Sequence, residues 1–160
     1  MSTYTVQEED VIYAITNYLD ANLDTYLSGI ETLKNDGITL TDIKKYYVGS
    51  KDILSENSFP VAYAIPAPYE FDNDYTTTAD LLRPVIMLTI AIAGGVTRNL
   101  DIKALRYAAA VRQAINADRT AGGTVCRSRV INYNWFVLPE MTFDHILIEI
   151  AIEAEIEVQR

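Results

Sequence analysis

Cysteine is nearly missing: Cys126 is the only one in 160 residues. A lone thiol excludes an intrachain disulfide and a thiolate metal site, and it fits a reducing compartment. Histidine is equally scarce. His145 stands at the start of an alternating strand, on the parity of its glutamates, and reads as an exposed strand end. A nucleophilic triad needs a base beside Ser or Cys, and nothing in the sequence marks His145 for that role. Basic residues are outnumbered, 13 Lys and Arg against 22 Asp and Glu, for a formal charge of -9. Beyond Lys44-Lys45 and Arg127/Arg129 there is no basic cluster to release counterions from phosphates, which disfavours nucleic-acid binding by charge. Long apolar runs are lacking too. "PVIMLTIAIAGGV" is shorter than the roughly 20 residues of a spanning helix, and "MSTYTVQEEDVIYAI" has no basic n-region before an apolar run. The chain reads as soluble and intracellular, and its length suits one domain, 1–160, with one core.

Glycine pairs occur twice, and neither has the setting of a phosphate loop. Such a loop follows a strand and opens a helix, whose free N–H groups face the anion. Gly122-Gly123, in "NADRTAGGTV", follow a helix and precede a strand, where carbonyls and the negative dipole end repel phosphate. They read as a chain reversal, with a glycine taking positive φ. Gly94-Gly95 lie in the right order, but "GGVTRN" lacks a third glycine and a well-placed basic residue. "DND" at 72–74 lacks the glycine and the twelfth-position Glu of a calcium loop. No cofactor, metal or catalytic residue is expected. Cys126 reads as a small buried residue or a strand-surface thiol.

What is present is periodicity. Val11, Ile12, Ile15, Leu19, Leu23, Leu27 and Ile30 recur at steps of three and four, so a helix spans about 6–30, ending near Ser28-Gly29 or running on to Lys34. Thr5 with Glu8 forms its capping box. "IKKYYVGS" and "PVAYAIPA" are short extended pieces, the second bounded by Pro60 and Pro66. Segment 67–82 is acidic and follows neither period, which predicts a long loop. "RPVIMLTIAI" is apolar on both faces, as in a central strand. A second helix runs from Asn99 to about Asn116, burying Ala104, Ala108, Val111 and Ile115, joined by Leu105. Strands at 125–137 and 143–158 close the chain. The reading is α+β: a mixed or antiparallel sheet with both helices packed on it.

The last strand alternates most cleanly. Ile146, Ile148, Ile150, Ile152, Ala154, Ile156 and Val158 share one face; Glu149, Glu153, Glu155 and Glu157 stand on the other. With a turn near Glu140, Arg127 falls opposite Glu153, and Arg129 opposite Ala151 within diagonal reach of Glu149 or Glu153. The face is either a solvated row partly neutralised by its neighbour, or a negatively charged surface or one that meets a basic partner. Eleven tyrosines, among them Tyr63, Tyr75 and Tyr133, suit interfaces and half-buried sheets equally.

The order of elements resembles the tail terminator, or tail completion, family of tailed bacteriophages, close to their neck and minor-tail proteins. The resemblance rests on the helix "VIYAITNYLDANL", the strands "FPVAYAIPA" and "RPVIMLTIAI", the helix and turn "YAAAVRQAINADRTAGG", and the closing acidic–apolar strand. It implies a mixed sheet with two helices on one face and a structural, non-enzymatic role in the virion tail or neck, after assembly in the host cytoplasm. Copies would form a ring, typically a hexamer, that caps the tail tube, meets the major tail tube protein and the head-completion or connector protein, and contacts no membrane. DNA would pass through without specific binding. The interface or bore candidates are Glu149, Glu153, Glu155, Glu157, Arg127 and Arg129, with Asp72, Asp74 and Tyr75 of the 67–82 segment. The overhang of the last strand would pair with a neighbouring copy. The alternative is a small acidic α+β adaptor that uses the glutamate strand against a basic protein.

Overall fold

The computed structural model describes residues 7–50, 56–68, 71–72, 79–93, 97–136 and 145–159. Helix α1 spans Gln7–Lys34 and α2 spans Thr97–Ala117; the strands are β1 (Lys45–Val48), β2 (Val61–Ala67), β3 (Phe71–Asp72), β4 (Ala79–Leu82), β5 (Val85–Ala93), β6 (Arg127–Phe136) and β7 (His145–Gln159). The seven strands form one sheet, parallel between β1 and β2 and antiparallel elsewhere. This is the α+β fold expected from the sequence.

β7 is the spine. Its alternation buries Ile146, Ile148, Ile150, Ile152, Ala154 and Ile156 beneath the helices, in a core shared with Leu19, Leu23 and Leu27 of α1 and Ala104, Ala108 and Val111 of α2. The opposite parity joins a separate, helix-free cluster of Val61, Ala91 and Leu147. Both helices therefore pack on one face, and on the other Val61, Thr89, Ala91 and Leu147 are buried without a helix over them among the described residues. α1 runs through Gly29 to Lys34, since six apolar turns outweigh the roughly 1 kcal/mol an interior glycine costs. The helices are tied by the Tyr18 hydroxyl, which donates to the Ala114 carbonyl at 2.6 Å. Behind α1, Arg106 donates two hydrogen bonds to Asp36, and Tyr107 donates to the Thr41 carbonyl.

The expectation of a long loop over 67–82 is corrected at both ends. β4 and β5 are two parts of one strand, since Leu82 stands opposite Ile156, Val85 opposite Glu153, and Ala154 N–H donates to the Pro84 carbonyl between them. Pro84 faces β7 with no N–H to give, and this breaks the ladder there. β3 pairs with β4 as β2 pairs with β5, one register step apart. β3 and β4 therefore extend the β2–β5 hairpin. Two-residue and four-residue strands are too short to show a period, which hid them in the sequence.

Two related expectations also change. One edge of the end of β7 is taken within the chain, since β4 pairs with it from Ile156 to Gln159, while β6 pairs with the other edge only as far as Glu155. Pro66 lies within β2 instead of bounding it. It shares parity with Ala64, whose carbonyl accepts from Gly49, so its missing N–H faces the side where β1 has ended.

Candidate functional site

The glutamate row lies on the face away from the helices, as its alternation requires, but its partners differ from the expected register. Arg127 stands opposite Glu155, and Arg129 opposite Glu153, two residues from the expected pairing because the turn is not centred on Glu140. Arg127 donates to Glu155 at 2.7 Å, and Arg83, from the β4–β5 junction, reaches the same carboxylate at 3.4 Å. Arg129 meets Glu153 at 3.0 Å. The arginine side chains are 46, 54 and 57% exposed, against 18 and 19% for the glutamates beneath them. The Arg127 guanidinium, helped by Arg83, holds the Glu155 carboxyl below its usual range. Three guanidiniums lie over these two carboxylates, so solvent meets arginine here before glutamate, while Glu157, two residues on along the same face, is exposed.

Further along the same face Glu149 stands between Thr89 and Asn134, and Glu157 opposite Leu81. Thr89 is fully buried, and its hydroxyl has no hydrogen-bond partner. Asp72 pairs with Leu81 in the β3–β4 ladder; Asp74 and Tyr75, like Thr5, Gly94 and Gly95, lie outside the described residues. His145 is half-buried, with its ring edge-on to Phe59 at 5.1 Å, where an exposed strand end was expected. Cys126 is exposed, the strand-surface alternative.

The Gly122-Gly123 turn spends its N–H groups internally. Asp118 accepts from Thr120 and from Gly122 N–H at 3.0 Å, and Gly123 N–H donates to the Thr120 carbonyl at 3.0 Å. Both glycines take positive φ, 75° and 91°. A chain reversal is what they make.

Two edges of the sheet expose apolar side chains, some of them the tyrosines and Trp135 that suited an interface in the sequence, and others on α2 that were not foreseen. On α2, Ile102, Leu105, Ala109 and Arg112 recur at steps of three and four on the outer side. Leu105, expected in the core, is 43% exposed. Beside them on edge strand β6, Tyr133 stacks on Trp135 with centroids 5.9 Å apart. A shallow groove between helix and strand is lined by Leu105, Ala108, Ala109, Arg112, Val130 and Tyr133. At the opposite edge α1 and β1 enclose a cleft of about 270 Å³. Its walls include Tyr13, Asn17 and Asp20, again at helical steps, and Val48. The signal for both was a second, outward stripe on each helix, masked in the sequence by the stronger inward one. Among the described residues no group of three metal-ligating side chains occurs.

No protein-family model matches the chain, and no curated protein does. Among solved structures it is similar to a chain of a virion of a native gene transfer agent particle, at 12% identity and a TM-score of 0.36, over 91% of this chain and 99% of that one. A score at that level does not establish a common fold.

Proposed function

We propose that this chain is a structural protein of a tailed-phage virion, a tail terminator or tail completion protein. Its copies form a ring, typically a hexamer, that caps the tail tube and joins it to the head connector. The observation that carries the reading is architectural. A sequence whose element order resembles that family folds into a mixed sheet with two helices on one face, as the resemblance implies. The role is assembly and not bond-making. The neighbours are the major tail tube protein and a head-completion protein, and the place is the tail or neck.

DNA passes the ring without specific binding. The chain's net charge of -9 supplies a repulsive field for a polyanion. Glu153 and Glu155 add little to that field, since arginines cover them. The same cover weakens the adaptor alternative, which needed an acidic strand face for a basic partner.

Light scattering behind size-exclusion chromatography, with electron microscopy of tail tubes incubated with the protein, tests the proposal. A closed oligomer or a ring at the tube end is the expected result. A strict monomer that leaves tube ends bare refutes it.

A further inference from the structure

Resting on the ring reading, we infer that the α2–β6 edge of one copy docks against the α1–β1 edge of the next, with Arg112 of the first facing Asp20 of the second. β1 and β6 are edge strands of the sheet, as is the two-residue β3 beyond β4. Two different edges of one chain, pressed together, make a head-to-tail contact, the kind that closes into a ring when the rotation permits.

The edges complement each other in charge. The α2–β6 side presents Ile102, Leu105, Tyr133 and Trp135, between 38 and 43% exposed, with Arg112 at the end of the helical stripe. Large apolar and aromatic side chains grouped around an arginine are the composition of an interface centre, not of ordinary surface. The α1–β1 side offers a concave cleft with an exposed Tyr13 and Val48 at its rim and Asp20 in its wall. Arg112 and Asp20 have no ion-pair partner among the described residues. One edge presents apolar and aromatic side chains with a cation, the other a polar, tyrosine-lined cleft with an anion, Asp20, in its wall. A second copy of this chain therefore fits better than a partner of unrelated chemistry.

Side chains make the contact, and strand pairing does not. The register of β6 against β7 shifts between Val130 and Asn132. Such a bulge twists the strand and spoils its outer edge as a template for another strand. Trp135, the only tryptophan, lies inside the contact and reports on it.

The test uses the full chain. Wild type is expected to associate with rising concentration while tryptophan emission shifts to the blue. Arg112→Glu and Asp20→Arg each place like charges across the contact, so each alone is expected to associate about tenfold more weakly, or not at all. An equimolar mixture of the two restores opposite charges at every junction and is expected to re-form the oligomer. Circular dichroism confirms that each variant is folded. Should either fail to fold, Leu105→Ser, on an exposed position, takes its place and is expected to weaken association to the same degree. Wild-type oligomers indifferent to these changes, or formed with no change in tryptophan emission, overturn this contact and leave the ring reading standing. A wild-type chain monomeric at every concentration overturns the contact; bare tube ends besides overturn the ring as well.

Discussion

Asp36 shows how one surface carboxylate is bound into the fold. Its two hydrogen bonds from Arg106 lower its pKa from 3.8 to about 2. A carboxyl depressed by folding adds stability above its unfolded value, and that contribution fades as pH falls toward the folded one. Asp36→Asn is therefore expected to unfold at lower denaturant than wild type at pH 6, with the gap closing between about pH 4 and pH 2. Urea titrations at several pH values measure it; a gap independent of pH would show that Arg106 is not the cause. Thr89 poses the opposite case, a buried hydroxyl with no partner. Replacing an unsatisfied polar group with an apolar one of the same shape removes its desolvation cost. Thr89→Val is expected to stabilise by about 1 kcal/mol, read from the denaturation midpoint.

Among the elements, α1 and β7 were plain in the sequence because each holds one period long enough to stand out. Leu19 lies fully buried at the centre of α1, and Leu19→Ala is expected to cost about 2–5 kcal/mol by thermal or chemical denaturation. The hairpin's outer strands were invisible, since two or four residues show no period and their pairing depends on β7, far away in the chain. Leu105 was misassigned for a related reason. It sits one step from the inward stripe of Ala104 and Ala108, and only the position of β6 decides that it faces outward. The register of Arg127 and Arg129 was missed by two residues because it depends on a turn whose centre the sequence does not mark. Arg83 could not be found at all, since a proline break brings it to Glu155 from a third strand.

Across the whole molecule, the candidate surfaces were legible only as residue types, and the structure assigns them signs and neighbours. The glutamates exist as expected, yet arginines cover Glu153 and Glu155 and leave Glu157 exposed. That arrangement can be unmasked. Glu153→Gln together with Glu155→Gln leaves Arg83, Arg127 and Arg129 without their counter-charges. Compared with wild type, the double variant is expected to bind duplex DNA more tightly at low salt, with an effect that fades by about 0.2 M as the Debye length shrinks. Gel-shift titration at several salt concentrations checks it. Equal binding by the two proteins would show that the carboxylates do not screen this patch.

β7 is held on one edge by β5 and β4 and on the other by β6, over most of its 15 residues. A tug along its length cannot peel these ladders one bond at a time. It must slide both rows at once, with the load spread over many hydrogen bonds placed crosswise to the force. A load along this line therefore meets a rigid beam where a looser hairpin would unzip.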